Sequence, residues 1–183
     1  MARIPYPDPS ILSAKARAKY DLATTRERMG ARLMMAYVEP TREKFEALGL
    51  HFLRSDGVFT AQEREVVVLT VGRLCKCDYE IFQHIEIARI VGLDDYKIQN
   101  LVDSKKDSLS QKELMLVAFS EEIHAEGKVS DATFNAARTI FSNAQLVELP
   151  LLIGYYIMFS AMVRTLEVET DERPVGQDTL DAE

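Results

Sequence analysis

Four side chains that could do chemistry fall close together in the middle of the chain. They are the carboxylates of Glu65 and Glu80, the thiol of Cys77 and the imidazole of His84. A carboxylate beside an imidazole orients it and raises its basicity, as general acid–base catalysis requires. A thiol near the start of a helix can ionise and act as a nucleophile. The segment therefore indicates a site for proton transfer or for thiol chemistry.

The first carboxylate belongs to a helix that is otherwise apolar. Thr60 and Glu63 have the types and spacing of a capping box, so the helix is predicted to begin after Thr60. Glu65 shares a face with Val68 and Leu69, and such a face is expected to point into a core. A carboxylate on a buried face needs a partner or a function.

The second helix is predicted to begin near Asp78, a good N-cap type, and to end at Gly92. At about 100° per residue, one stripe of this helix carries the thiol, the second carboxylate and the imidazole together with apolar residues. Gln83 lies off this stripe. The members of the stripe are Cys77, Glu80, Ile81, His84, Ile87, Ala88 and Val91.

Two motifs in this region, C-x-Y-E-x3-H at Cys77–His84 and A-R-x-x-G-L at Ala88–Leu93, follow the apolar helix that carries Glu65. With that helix, the stretch from about Phe59 to Leu101 resembles the carboxymuconolactone decarboxylase family, which includes the alkylhydroperoxidase D-like proteins. The resemblance implies an all-α, single-domain helical bundle of about seven or eight helices. It also implies a homo-oligomer, either a dimer, a trimer or a hexamer.

The peroxidase branch of that family has a glutamate, a cysteine twelve residues later, a second cysteine three residues on and a histidine four after that. Glu65, Cys77 and His84 match these positions. Glu80 stands where the second cysteine is expected, and Tyr79 replaces a histidine that commonly precedes it. A thiol mechanism on Cys77 would therefore need an outside thiol to resolve the oxidised cysteine.

Composition sets the remaining bounds. The 183 residues suffice for one domain with a sizeable core, and the net charge of −7 offers no basic surface for nucleic acid. Two cysteines two residues apart do not make a secreted disulfide framework, and residues 1–10 lack the apolar segment of a signal peptide. We therefore expect a cytoplasmic protein with both cysteines reduced.

The chain divides into a proline-rich extended arm at residues 1–9, a helical domain at 10–167 and an acidic tail at 168–183 that is predicted to be disordered. Within the domain, a further helix is predicted over Ser10–Met29. The last helix is apolar on nearly all sides, but its uninterrupted apolar run, Leu149–Val163, is shorter than a membrane span. We expect this helix to lie centrally in the bundle or between subunits, with no membrane contact.

The sequence favours a cofactor-free lyase that acts on a small carboxylated or lactone substrate. In this hypothesis His84 transfers the proton, Glu80 orients it, and Glu65 either is a second acid–base group or also orients His84. Arg73 and Tyr156 are candidates for binding the substrate. No second histidine or C-x2-C pair accompanies the cluster, so no metal is expected. The alternatives are a thiol-dependent hydroperoxide reductase acting through Cys77 and a non-catalytic assembly protein of the same fold.

Overall fold

The computed structural model describes residues 1–14, 17, 30–53 and 57–174, and no strand occurs among them. The all-α, single-domain bundle that the sequence predicts is confirmed. The helix predicted over residues 10–29 falls largely outside the described residues. In chain order the helices are α1 (Gly30–Met34), α2 (Glu39–Leu53), α3 (Ala61–Leu74), α4 (Asp78–Ile90), α5 (Asp95–Val102), α6 (Gln111–Glu126), α7 (Asp131–Ala137) and α8 (Asn143–Leu166), with 3-10 turns at Pro9–Ile11 and Met35–Val38.

Helix α3 is the centre of the bundle and packs against α4, α5, α6 and α8. Every residue from Arg64 to Gly72 is buried, because the run of valines and leucine leaves α3 no polar face. The predicted capping box is present: the Glu63 amide donates to the Thr60 hydroxyl, and the Thr60 amide donates to the Glu63 carboxylate. The central position of α3 explains why Arg64 and Glu65 are carried into the core.

Helix α4 differs from its prediction in two details. Its N-cap residue is Cys77, one position before the predicted Asp78, and no side chain caps it. Gln83 is 2% exposed although it lies off the predicted stripe, because a segment after α8 covers it. The end of the helix is as predicted, since Gly92 follows with φ of 89°.

Helix α8 packs one face on α3 and α6, and the described residues leave several side chains of the opposite face exposed. Among the described residues it is the helix that is long and apolar enough to cross a membrane, with 33% of the relevant window buried. Its buried residues belong to the core of the bundle. They are Leu149, Leu152, Ile153, Tyr156, Ser160 and Val163.

Both ends of the described chain lie on the domain near the end of α8. The Arg3 amide donates to the Leu166 carbonyl, and the Arg3 guanidinium pairs with Glu167 at 2.8 Å. Residues 168–174, at the start of the predicted acidic tail, continue onto the helices, and Val168 is 8% exposed. Residues 175–183 lie outside the described part. Part of both terminal segments therefore packs on the helical domain.

Candidate active site

The centre of the candidate site is a carboxylate–imidazole pair between α3 and α4. Glu65, which has no exposed surface, places its Oε2 atom 2.6 Å from His84 Nδ1. The other oxygen, Oε1, accepts a hydrogen bond of 3.1 Å from Arg64 Nε. Arg64 also donates to the carbonyls of Phe52 and Leu53 at the end of α2. Both oxygens of Glu65 are thus engaged, one by Arg64 and the other by His84.

Arg64 is a site residue that the sequence analysis missed. It is 5% exposed and lies next to Glu65 in sequence, so one turn of α3 buries both an anion and its counter-ion. The available signal was an arginine directly before a glutamate at the start of an apolar run. Such a pair in the first turn of a helix usually lies on the surface, in contact with solvent. Its burial follows from the α2 carbonyls that cover it, which are remote in sequence.

Glu80 completes the cluster on the other side of the imidazole. Its Oε2 atom is 3.3 Å from His84 Nε2, one helical turn away on α4. Its Oε1 atom is buried and has no hydrogen-bond partner among the described residues. Burial raises the pKa of Glu80 to about 7, with the charge of Glu65 adding to the rise and that of His84 opposing it. The carboxyl group is therefore present in both protonation states near neutral pH.

The neighbours of His84 favour its charged form. Burial disfavours the imidazolium, but the charge and hydrogen bond of Glu65 outweigh burial, and the pKa of His84 is raised. The ring is 7% exposed and stands edge-to-face against Tyr156 of α8, with ring centroids 5.3 Å apart. Burial also raises the pKa of the Tyr156 phenol well above its usual value, so this group stays protonated. Tyr156 thus reaches the cluster, as the sequence analysis allowed.

The close approach of α3 and α4 sets this geometry. A Cβ atom added to Gly72 would lie 3.3 Å from Ile81 Cγ1 and 3.4 Å from Glu80 Cβ, so a larger residue there would push α4 away. The joint between the helices is short, and Lys76 adopts a left-handed conformation with φ of 53°. The Cys77 amide donates to the Gly72 carbonyl, which fixes where α4 begins.

The two cysteines lie in this joint and are not bonded to each other. Cys77 is 1% exposed and Cys75 8% exposed. Burial raises the pKa of both thiols; a hydrogen bond from the Glu80 amide opposes the rise at Cys77, and the nearby Ser160 hydroxyl opposes it at both. Ser160 Oγ itself meets no partner in standard hydrogen-bond geometry among the described residues. At Cys77, burial and the charge of Glu80 outweigh these hydrogen bonds, so the net shift disfavours the thiolate.

Arg73, the other candidate for binding the substrate, points elsewhere. It lies two turns beyond Glu65 on α3 and pairs with Glu121 of α6 at 3.4 Å. The structure therefore does not bring Arg73 to the Glu65–His84–Glu80 cluster. Its Nε atom is buried without a partner on that other side of α3.

Asp171, in the segment after α8, holds the outer side of α4. Its Oδ2 atom accepts hydrogen bonds from Tyr79 at 2.5 Å and from Gln83 at 2.6 Å. Its Oδ1 atom accepts from the Gly30 amide at 2.8 Å, at the start of α1. Tyr79 and Gln83 each directly precede a member of the cluster, Glu80 and His84 respectively. Asp171 therefore fixes the helix that carries two of the three cluster residues.

Among the residues that the structure describes, no three histidine, cysteine, aspartate or glutamate side chains are arranged to hold a metal ion. The ionised groups of the cluster instead satisfy one another. The arrangement is a buried row of ionisable groups, Glu65–His84–Glu80, that ends at a carboxyl oxygen with no partner among the described residues.

Comparison with solved structures relates the fold to known proteins. The chain is similar to the alkylhydroperoxidase AhpD core of an uncharacterized peroxidase-related protein from Ralstonia eutropha, with a TM-score of 0.81, 18% identity and 93% coverage of both chains. A second uncharacterized peroxidase-related protein, from a Silicibacter species, gives a TM-score of 0.77 and 16% identity over 93% of this chain and 91% of the other.

A third similar structure is a protein of unknown function from Agrobacterium tumefaciens, proposed to be an AhpD antioxidant defence protein. It gives a TM-score of 0.65 and 17% identity over 70% of this chain and 89% of the other. No family model and no curated protein matches the sequence. The chain therefore has the alkylhydroperoxidase D-like fold that the sequence analysis expected.

Proposed function

We propose that the chain is a cofactor-free enzyme that moves a proton to or from a small carboxylated or lactone substrate, in a lyase-type reaction, with Glu80 as the group that meets the substrate. The observation that carries the proposal is the Oε1 atom of Glu80, which is buried without a partner while Oε2 faces His84. Its pKa of about 7 suits a group that both gives and takes a proton near neutral pH.

The geometry assigns different tasks to the three residues. His84 has both ring nitrogens engaged inside the protein, Nδ1 with Glu65 and Nε2 facing Glu80. It therefore acts through Glu80 and supplies or receives the proton at Nε2. Glu65 keeps the imidazole oriented and charged. This revises the sequence hypothesis, in which His84 met the substrate and Glu80 oriented it.

In a decarboxylation, the substrate loses carbon dioxide and leaves an electron pair on carbon, which a conjugated carbonyl group stabilises. Protonated Glu80 donates its proton to that carbon and becomes a carboxylate. His84 then returns a proton from Nε2 to Glu80, and solvent restores the imidazolium. No electron is gained or lost by the protein, so acid–base groups suffice for the chemistry.

A second candidate function is suggested by the peroxidase-related and antioxidant descriptions of the similar structures. Cys77 lies at the N-terminus of α4, two turns from His84 and one turn from Glu80. In that function the Cys77 thiolate attacks a hydroperoxide, releasing an alcohol and leaving a sulfenic acid. An external thiol then forms a mixed disulfide with release of water, and a second external thiol restores Cys77. The raised pKa of the Cys77 thiol disfavours this route.

One set of variants tests both functions. The panel consists of small lactones and of β-keto and vinylogous acids, assayed for loss of substrate and release of carbon dioxide, and of organic hydroperoxides assayed with added dithiol. For any substrate turned over by acid–base chemistry, we expect Glu80→Gln to reduce the chemical step by about 10²- to 10⁴-fold, the range for loss of a general acid or base. Cys77→Ser is expected to change it less than about threefold, since a buried thiol of raised pKa acts as a small apolar side chain.

The opposite order, with Cys77→Ser abolishing hydroperoxide turnover and Glu80→Gln retaining it, would replace the proposal with the second function. Glu86→Gln serves as the matched control, because it makes the same change on α4 at a residue that pairs with Arg89 away from the cluster. Equal activity in Glu80→Gln and Glu86→Gln would remove Glu80 from the mechanism.

A further inference from the structure

Three serine and threonine side chains are buried on helices among the described residues, and one of them differs from the other two. Thr70 of α3, Ser120 of α6 and Ser160 of α8 are 0%, 0% and 1% exposed. The first two hydroxyls donate to carbonyls one turn back on their own helices, those of Val66 at 2.6 Å and Leu116 at 2.8 Å. A buried hydroxyl on a helix commonly bonds in this way. The Ser160 hydroxyl does not, and its Oγ atom has no hydrogen-bond partner in the described part of the chain.

Contacts between α4 and α8 place Ser160 beside the candidate site. The Tyr156 ring stands against His84, and Ser160 follows Tyr156 by one turn on the same face of α8. The Ser160 hydroxyl is near enough to the Cys77 thiol to lower its pKa, and Cys77 lies two turns before His84. The two helices therefore pass each other in opposite directions. Glu80 lies between Cys77 and His84 on α4, so it faces the same gap between the helices as Ser160.

Two buried polar atoms, Oε1 of Glu80 and Oγ of Ser160, thus face one gap, and neither has a hydrogen-bond partner among the residues that the structure describes. Buried polar atoms are nearly always hydrogen-bonded, so two that stay open at one place indicate a ligand. Thiol sulfur is a weak acceptor, and Cys77 therefore does not satisfy the Ser160 hydroxyl. Because the two oxygen atoms do not bond to each other, a ligand atom placed between them can contact both.

The ionisable residues of the site direct their donors elsewhere. The two ring nitrogens of His84 face Glu65 and Glu80. The Arg64 guanidinium donates to Glu65 and to carbonyls at the end of α2. Arg73, which the sequence suggested as a substrate-binding residue, pairs with a carboxylate of α6 on the other side of α3. The Ser160 hydroxyl therefore supplies a hydrogen-bond donor next to Glu80 that these charged side chains do not.

We infer that Ser160 is a further residue of the candidate site and that its hydroxyl donates a hydrogen bond to the conjugated carbonyl oxygen of the substrate. The inference rests on the proposed function, in which loss of carbon dioxide leaves an electron pair that this carbonyl group shares. The hydrogen bond strengthens as negative charge develops on the oxygen. When Glu80 gives its proton to carbon, that charge is lost again, and Ser160 keeps its hydrogen throughout. The substrate is then an acid whose carboxyl group is β to a carbonyl group or linked to one through a double bond.

Matched alanine variants test the role of the hydroxyl in turnover. Ser160→Ala and Ser120→Ala remove the same atom from equally buried helical positions, but the Ser120 hydroxyl bonds only within its own helix. The substrate is a β-keto or vinylogous acid on which Glu80→Gln loses turnover. We expect Ser160→Ala to lower kcat about 100-fold, at the low end of the range for an oxyanion donor, and to change KM less than about threefold. Ser120→Ala should leave both constants within about twofold of the unaltered protein.

The outcomes separate this inference from the proposed function. If Glu80→Gln loses turnover but Ser160→Ala behaves like Ser120→Ala, the donor role of Ser160 is wrong and the function stands. If no acid of the panel depends on Glu80, the function fails and the inference fails with it. The pH dependence of kcat/KM should be the same in Ser160→Ala as in the unaltered protein, because the hydroxyl meets the substrate directly. A midpoint shifted by about one pH unit or more would mean that Ser160 acts through Glu80 and would overturn the direct contact.

Thermal unfolding without substrate tests whether the Ser160 hydroxyl is available in the folded chain. Both variants place alanine, a better helix former than serine, inside a helix. Only Ser120→Ala gives up a hydrogen bond, so the unfolding midpoint of Ser160→Ala is expected roughly 2 to 4 °C above that of Ser120→Ala. A midpoint for Ser160→Ala at or below that of Ser120→Ala would mean that the Ser160 hydroxyl already has a stabilising partner within the protein, and it would overturn the inference whatever the substrate.

Discussion

The carboxylate cluster and the thiol pair are neighbours that respond differently to the same burial. Glu80 and Cys77 lie three residues apart on α4 and are 2% and 1% exposed. Burial disfavours the charged form of both and raises both pKa values. For a carboxyl group the rise ends at about 7, where it exchanges protons at physiological pH. For a thiol, whose usual pKa already lies above neutrality, the same effect removes the reactive thiolate.

The difference teaches that burial alone does not identify a reactive group. Glu65 and Arg64 show what keeps a charge stable at the same depth, since each lies within hydrogen-bond reach of an opposite charge. Among the described residues, no basic side chain contacts the sulfur atom of either cysteine. Glu80 stands where the family pattern has its second cysteine. At this buried position a carboxyl group has a pKa of about 7, whereas burial moves the pKa of a thiol further above neutrality.

The largest expected effect is the loss of stability on replacing Glu65, the carboxylate that contacts both Arg64 and His84. Glu65→Gln leaves Arg64 and His84 buried without their counter-ion, and breaking a buried ion pair on one side costs about 3 to 5 kcal/mol of unfolding free energy. Glu86→Gln makes the same change where Arg89 is half exposed, so it should cost less than about 1 kcal/mol. Urea unfolding at pH 7 measures both. A small, equal cost in the two variants would mean that the contacts of Glu65 with Arg64 and His84 do not stabilise the fold.

Most of the fold and the core of the site could be predicted from sequence, because local patterns carried the information. The capping box at Thr60, the apolar run of α3 and the spacing from Glu80 to His84 are all encoded within a few residues. Glu65, Glu80 and His84 meet because adjacent helices in a short α3–α4 hairpin must bury their apolar faces against each other.

The parts that sequence reasoning missed depend on contacts between distant segments. The burial of Arg64 needs the end of α2, and the burial of Gln83 needs Asp171, which is 88 residues away. The orientation of Arg73 toward α6 likewise depends on Glu121, a residue that no local pattern links to α3. Helical periodicity describes the faces of one helix but not which side chain from elsewhere covers them.

The next effect is a pH dependence of stability. The pKa of Glu80 is about 7 in the folded chain and its ordinary value is 4.5, so between these values the folded state binds the extra proton. Stability that Glu80 contributes below pH 4.5 is therefore lost as pH rises through 7, by roughly 3 kcal/mol. His84 adds a change of the same sign, since its pKa is also raised.

The measurement is the difference in unfolding free energy between the unaltered chain and Glu80→Gln, followed from pH 4.5 to 8. The difference isolates Glu80 because the surface carboxylates are common to both proteins. We expect the unaltered chain to lose stability relative to the variant across this interval. A constant difference would mean that Glu80 titrates as an ordinary glutamate. The proposed difference between the responses of Glu80 and Cys77 to burial would then be wrong.

A smaller effect is expected from Asp171, which holds the stretch of α4 between the thiol and the imidazole. Asp171→Ala leaves the buried Tyr79 hydroxyl and the Gln83 amide without their acceptor, at a cost of about 1 to 3 kcal/mol. Glu169→Ala is the control in the same segment, because the Glu169 side chain is 56% exposed and pairs with the exposed N-terminus. Thermal unfolding distinguishes them. Equal midpoints would show that the segment after α8 does not hold α4.

The smallest effect is expected for the chemical reactivity of the two cysteine thiols in the folded protein. With both pKa values raised and both side chains buried, Cys75 and Cys77 should react with an aromatic disulfide reagent at least about 100-fold more slowly than a free cysteine at pH 7. In denaturant both should react at once, which verifies that they are reduced. Tyr96→Cys supplies an exposed thiol on the same protein as the reference rate.

The thiols can react only when the joint between α3 and α4 opens transiently. Gly72→Ala crowds Ile81 and Glu80, so it should raise the reaction rate of the buried thiols while leaving that of the reference thiol unchanged. A fast reaction of Cys77 in the unaltered protein would mean that a thiolate exists in the folded state. Burial would then leave both the thiol and the carboxyl group able to ionise near neutral pH, and hydroperoxide reduction would become the better proposal for the function of the site.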